Sequence, residues 1–330
     1  MENREMKFVF FGTSEFGVVV LEKLVQAGYK PVLVVTTPDK PAGRNLKLIS
    51  PPVKILAEQY SLPVAQPEKL GLAKFDLQNL AKPSLEPDLF VVASYGEILP
   101  REVLDIPKKG TLNVHPSLLP QYRGPSPVHT AILNGDRNTG VTIMLLDEKM
   151  DHGPILAQQE FPISNETFPL LRDKLAELGA DLLMKTIPAW VAGSIKAVVQ
   201  DDSKATYTKI FAKEDGKIDW NKSAEEVERQ IRAFTPWPGT FTSFKVENQK
   251  SNLKILRASV LPQNLAKPSY PQIGLAKFAP GAVFLTPEGK LGIQCGEDAL
   301  VIEELQLEGK KPMSSKEFLL GHKTIIDSIC

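Results

Sequence analysis

Cysteine is nearly absent: the 330 residues include two, Cys295 and Cys330. Two thiols without companion histidines at ligand spacing exclude a disulfide framework and a zinc finger, and no metal is expected. Nor is there an apolar run long enough to cross a bilayer, a low-complexity tract or an internal repeat, so a soluble, membrane-free protein is expected. Charge excess is missing too, with 39 Lys and Arg against 39 Asp and Glu. A zero balance neither demands nor forbids a nucleic-acid partner, because a local basic patch binds phosphate on a neutral protein. Aromatic residues make up 7% of the chain, and the C-terminal half lacks the aromatic richness of proteins that hold nucleic acid by base stacking. The start, "MENREMKFVFFG", turns apolar too soon for a signal or transit segment, which predicts a cytoplasmic location. Finally, the first strand-to-helix turn, "FFGTSEFG", has Gly12 and Gly17 but not the Gly-x-Gly-x-x-Gly that lets backbone approach a pyrophosphate. A tight turn with a helix cap at Thr13 or Ser14 fits better than a dinucleotide site.

What is present is an ordinary globular composition, 42% hydrophobic and 24% charged, on a chain long enough for two domains. Through residue 146, apolar strands alternate with helical stretches: "MKFVFF", residues 15–28, "PVLVVTT", "PVKILAEQY", "DLFVVAS", residues 97–104, "GTLNVH", residues 127–134 and "GVTIMLL". This order predicts a parallel, doubly wound α/β domain. A long helix over 168–193 precedes the polar "QDDSKATYTK". We therefore divide the chain into residues 1–199, a linker at 200–208, and residues 209–330. The last part opens with the helical "SAEEVERQIRAF" and continues in short strand-like runs, "LKILRASV", "GAVFLT", "LGIQC" and "ALVIEELQL", between Gly and Pro turns. Such spacing predicts a small β-barrel or sandwich.

Three stretches carry candidate chemistry. In "NVHPSLLPQYRG", residues 113–124, Asn113 and His115 stand two apart at a strand end, so both side chains face one side, at the edge where open α/β sheets bind ligands. After the following strand, "DHGPIL" brings Asp151 and His152 to another loop. An amide, an imidazole and a carboxylate form a set suited to acyl transfer, as oxyanion donor, acid or base, and orienting partner; Asp151 is equally readable as a turn or capping residue. Ser117 lacks the Gly-x-Ser-x-Gly elbow of a serine nucleophile and is read as a turn former or ligand contact. The third stretch, "TTPDKPAGRNLKLISPPVK", carries Lys40, Arg44, Lys47 and Lys54 against Asp39. It is either a phosphate contact or a solvated lysine-bearing loop.

The ordered motifs "VFFGTSEF", "PDKPAGR", "VVASYGEILP", "NVHPSLLPQYRGPSPVHTAILNGD", "TGVTIMLLDEKMDHGPIL", "KIDW", "IRAFTPWPG" and "LQLEGKKPMSSKEFLLG" span almost the whole chain. Through them it resembles the 10-formyltetrahydrofolate-dependent formyltransferases. The "PAGR" and "GKKPMS" segments are similar to the tRNA-directed branch, which formylates methionyl initiator tRNA. The resemblance implies a Rossmann-like, 10-formyltetrahydrofolate-binding catalytic domain and an OB-like C-terminal β-barrel that helps hold tRNA. It implies catalytic roles for Asn113, His115 and Asp151, folate contacts from Ser117, Leu118, Leu119 and Pro120, and tRNA contacts from Lys40, Arg44 and Lys47 in a loop over about 38–47. Two positions depart from the family pattern: Asn45 stands where glycine is usual, and His129 where glutamine is common. The implied protein is a monomer whose partners are the folate and methionyl initiator tRNA, not DNA or a membrane. The same chemical residues would also serve a sugar-amine formyltransferase or a 10-formyltetrahydrofolate hydrolase.

Overall fold

A computed structural model describes residues 6–42, 46–68, 86–246, 249–261, 279–322, 325–326 and 328. The chain divides into two compact units, one of residues 1–127, 137–163 and 170–209, the other of 128–136, 164–169 and 210–330.

The first unit is a Rossmann-like α/β layer structure. Strand β1 (Phe8–Gly12) is buried along its whole length, as expected for a strand covered on both faces. It leads into helix α1 (Glu15–Gln26), which buries Phe16, Val20, Leu21 and Leu24 on one face. Gly17 in this helix has a packing role: a Cβ there would stand 2.7 Å from the Ala93 carbonyl oxygen. The glycine thus serves close approach of the helix to the sheet. Ser14 is the N-cap of α1 but makes no side-chain cap bond; its hydroxyl instead shares a 2.6 Å hydrogen bond with that of Ser94.

The chain continues through β2 (Leu33–Val35), a hairpin of β3 (Lys40–Ala42) and β4 (Lys47–Ile49), α2 (Pro52–Gln59), β5 (Val64–Ala65), β6 (Leu89–Ala93), the short α3 (Arg101–Leu104) and β7 (Thr111–His115). After α4 (Pro127–Asn134) come β8 (Asn138–Leu145), β9 (Ile155–Pro162) and the long α5 (Phe168–Val191). The main sheet has the order β5-β2-β1-β6-β7-β8-β9. Chain order reverses at β1 and β6, and β1, β2, β5, β6 and β7 are parallel.

The expectation of an all-parallel sheet is corrected at one edge, because β8 runs antiparallel to β7 and β9 antiparallel to β8. His115, the last residue of β7, pairs with Thr142 of β8 and Leu112 with Leu145, so the connection starts and ends at the same end of the sheet and no crossover is needed. A strand buried on both faces carries the same apolar pattern in either direction, so the sequence does not reveal its sense.

In the second unit, α6 (Ala224–Phe234) begins with a capping box: the Ser223 hydroxyl accepts from the Glu226 N–H, and the Glu226 carboxylate accepts from the Ser223 N–H. The sheet comprises β10 (Thr240–Val246), β11 (Gln249–Leu261), β12 (Val283–Leu285), β13 (Leu291–Gln294), β14 (Ala299–Leu307) and β15 (Met313–Ser314), followed by α7 (Ser315–Gly321). Its order is β10-β11-β14-β13-β12, with β15 paired to β14 and every pairing antiparallel. Among the described residues no ladder joins β10 to β12. The core gathers Trp220, Ile231, Phe244, Ile255, Ile293 and Phe318. Cys295 is buried there as a free thiol, and burial pushes it up to about 12.

The same unit holds His129, stacked on Phe168 with ring centroids 3.7 Å apart and near Phe211 and Phe234. Burial pushes this imidazole down from 6.5 to about 4. The unfolded chain therefore takes up the proton first, and folding stability falls as pH drops from 6.5 towards 4. The expected loss attributable to this group is about 3 kcal/mol. Urea midpoints of native protein and His129→Gln, compared at pH 7 and pH 4.5, should show the variant losing less; parallel losses would refute this assignment.

Candidate active site

The C-terminal end of β7 places Asn113 and His115 on one side of the sheet, 8% and 4% exposed. Asp151 reaches them from the turn between β8 and β9. Its Oδ1 lies 3.5 Å from both Asn113 Nδ2 and His115 Nδ1, and its Oδ2 accepts a 2.7 Å hydrogen bond from the Gly124 N–H. Contacts of 3.5 Å are too long to be strong hydrogen bonds. The two groups therefore converge on one oxygen without being firmly committed to it. His115 Nε2 lies 3.0 Å from the Tyr122 carbonyl oxygen. A carbonyl only accepts, so this contact places a hydrogen on Nε2.

Behind the three side chains, the "SLLP" turn is tied to the sheet edge. The Thr142 hydroxyl donates to the Ser117 carbonyl at 2.6 Å and accepts from the Leu119 N–H at 3.1 Å, while Gln158 Nε2 donates to the Leu119 carbonyl at 2.8 Å. Ser117 is fully buried and its hydroxyl donates to the Gln121 carbonyl. Leu119 is buried, whereas Leu118 and Pro120 keep partial exposure.

His152 turns elsewhere, with Nδ1 2.6 Å from Asp147 Oδ2 and Nε2 3.4 Å from Asp202 Oδ2. Residues 200–208, expected as a linker, pack back onto the loop after β7. The Tyr122 N–H donates to the Thr206 hydroxyl, the Arg123 N–H to the Thr206 carbonyl, and the Thr208 N–H to the Arg123 carbonyl. Arg123 is 1% exposed, and its guanidinium hydrogen bond holds the Asp202 carboxyl below the usual carboxylate range. No role for Arg123 or Gln200 was evident from sequence. The only cue was an arginine next to Gly124 in a turn, and nothing local marks such a cation as buried.

Lys40 and Lys47 lie exposed on the β3–β4 hairpin, with exposed Leu46, Leu48 and Ile49 beside them; Arg44 lies outside the described residues. Lys54, from the same stretch, instead pairs with Asp39 at 3.0 Å. Asp39 also accepts from Gln66 and Ser50, and these bonds, Gln66 first, hold its carboxyl below the usual range. Among the described residues no group of three or more His, Cys, Asp or Glu is placed to hold a metal ion, and no helix is long and apolar enough to cross a membrane.

An amide, an imidazole and a carboxylate at the carboxyl end of a doubly wound sheet are chemically suited to acyl transfer, and the known proteins this chain is similar to transfer a formyl group. A formyl transferase model matches residues 6–187, and a formyl transferase C-terminal domain model matches residues 211–323. The methionyl-tRNA formyltransferase of Chloroflexus aggregans is 45% identical over 319 residues, covering 96% of this chain and 97% of its own. That of Halalkalibacterium halodurans is 43% identical over 318 residues, covering 96% and 95%. Among solved structures, an N-formyltransferase from Helicobacter canadensis, in complex with folinic acid and dTDP-3-aminofucose, shares the fold with a TM-score of 0.62 at 20% identity, over 90% of this chain and 98% of its own. HypX from Aquifex aeolicus, in complex with tetrahydrofolic acid, gives a TM-score of 0.60 at 19% identity, over 95% of this chain and 47% of its own. The chain belongs to the methionyl-tRNA formyltransferase family.

Proposed function

We propose that the protein transfers the formyl group of 10-formyltetrahydrofolate to the free α-amino group of methionyl initiator tRNA, giving N-formylmethionyl-tRNA for translation initiation. The observation that carries this reading is the convergence of Asn113, His115 and Asp151 in a chain that matches methionyl-tRNA formyltransferases along 96% of its length.

The amine attacks the formyl carbon, the new C–N bond forms, and the bond to the folate nitrogen breaks; a proton leaves the amine and one reaches the departing nitrogen. Negative charge develops on the formyl oxygen in between. Asn113 Nδ2 is a donor for that oxygen, and His115 is a second from Nδ1 when its ring carries both hydrogens, the Nε2 hydrogen being held by the Tyr122 carbonyl; both donors are drawn from long contacts to Asp151, so little is lost when they turn to it. Asp151 holds the imidazole in orientation and protonation state, and relays the amine proton through water.

The folate lies beside "SLLP". Leu118 and Pro120 offer apolar surface to its ring, and buried Ser117 and Leu119 hold the turn in shape. Lys40 and Lys47, on the hairpin, and Arg44 contact tRNA phosphates. The C-terminal sheet is an OB-like barrel that helps hold the tRNA, and the protein acts as a monomer in the cytoplasm.

The test is formyl transfer from 10-formyltetrahydrofolate to methionyl initiator tRNA, compared with uncharged tRNA and with a sugar amine. Transfer confined to the aminoacyl-tRNA is expected. Equal folate turnover without any amine acceptor would instead identify a hydrolase. Initiator tRNA binding should also weaken as salt rises, and Lys40→Ala with Lys47→Ala should flatten that dependence, since each lost phosphate contact releases fewer counterions.

A further inference from the structure

We propose that Gln200 is a positioning residue for the transfer reaction: clamped by the buried Arg123 guanidinium, it fixes the main chain of Asp151 so that the carboxylate faces Asn113 and His115. The inference rests on the catalytic reading of those three residues.

Gln200 is 8% exposed and both ends of its amide are fully used. Its Oε1 accepts from Arg123 Nε at 3.1 Å and Nη2 at 2.9 Å. Its Nε2 donates to the Asp151 carbonyl at 2.8 Å and to the Gly153 carbonyl at 2.7 Å. Two acceptor sites and two N–H donors are all that an amide has, so the orientation of this one is set from both sides. The held residue needs holding. Asp151 has φ +48, a left-handed conformation that non-glycine residues adopt at a cost and keep only where the surroundings fix it. Here the main-chain carbonyl is fixed by Gln200 and the side-chain Oδ2 by the Gly124 N–H.

Arg123 completes the device. Besides Gln200 it donates to the Tyr207 hydroxyl at 3.1 Å and to Asp202 Oδ1 at 2.7 Å. In sequence it sits between Tyr122, whose carbonyl meets His115, and Gly124, whose N–H holds Asp151. One loop thus sets both the imidazole and the carboxylate. A buried guanidinium is a poor source of stability compared with apolar packing of similar volume, and its two parallel N–H groups give it directional control over a single acceptor.

If Gln200 served only to satisfy Arg123, glutamate would do at least as well, because it keeps both acceptor contacts and adds charge. For Asp151 the exchange is damaging, since a carboxylate sets oxygen against the carbonyls of Asp151 and Gly153. Gln200→Glu is therefore expected to keep the KM for both substrates within about threefold, with kcat taken per folded molecule. Its kcat should fall about 10²-fold, the cost of an ångström-scale misplacement. The chain has four histidines, so the His115 ring resonances can be assigned by NMR in the free protein, and they should shift in the variant. A kcat within twofold of native with unmoved His115 resonances overturns the proposal. Should Gln200→Glu fail to fold, Arg123→Lys removes the fork and leaves the amide. A lower kcat per folded molecule then supports positioning, and a lower thermal midpoint with unchanged kcat refutes it. Asp151→Asn is measured alongside: near-native turnover there defeats the catalytic reading itself, whereas a large loss there with none in Gln200→Glu defeats only the positioning.

Discussion

Replacing Asn113 with alanine is expected to lower kcat about 10²- to 10³-fold, the usual loss for one oxyanion donor, with both KM values little changed. Asn113 lies inside β7, opposite Val92 on one side and Met144 on the other, so its main chain is held by the sheet and survives loss of the amide. Among the described residues the one hydrogen-bond contact of Nδ2 is that to Asp151 at 3.5 Å. An interaction that strengthens only as charge develops on the formyl oxygen contributes to the transition state and not to binding, and its removal appears in kcat alone. Steady-state kinetics with each substrate varied in turn make the test. A rise in KM at constant kcat would show that Asn113 binds substrate uniformly and would remove it from the oxyanion role.

The second large effect is expected at Gly153. A Cβ there would stand 1.9 Å from the Leu145 carbonyl oxygen, a clash of side chain with main chain that no rotamer relieves. Leu145 is anchored by its own N–H to the Pro154 carbonyl at 2.9 Å, so Gly153→Ala must open the β8–β9 turn. Overpacking of this kind costs about 1–3 kcal/mol and occasionally more. The same turn carries Asp151 two residues earlier, and the Gly153 carbonyl is one of the two held by Gln200. Stability and kcat should therefore fall together, kcat about 10²-fold as for any ångström-scale displacement of a reacting group. Urea unfolding and single-turnover transfer on the folded fraction separate the two effects; a variant with native values of both would show that the turn accommodates the methyl group without moving Asp151.

Much of the site was legible in the sequence because its signals are local. Asn113 and His115 are two apart on a strand, and that period alone puts them on one face. The apolar runs of β1, β6 and β7 mark buried strands, and the helical stretch "SAEEVERQIRAF" marks α6. Strand direction at the edge was not legible, since β8 has the same apolar pattern in either sense. The interval of Gly12 and Gly17 argued against a pyrophosphate turn but did not show that Gly17 makes room for the Ala93 carbonyl.

From sequence alone came the two-part organisation, the placing of Asn113 and His115 on one face of a strand end, and the motifs through which the chain resembles formyl transferases. These follow from residue type and short spacing, which the chain carries in linear form. Tertiary structure decided how the site is held: the Tyr122 carbonyl against His115, the Gly124 N–H against Asp151, and the Arg123–Gln200 clamp on the left-handed Asp151. Gln200 and Asp151 are 49 positions apart in the chain. Each contact joins a main-chain group to a side chain or satisfies a buried charge, and a main-chain N–H or carbonyl is the same at every residue. Only folding selects which of them meet.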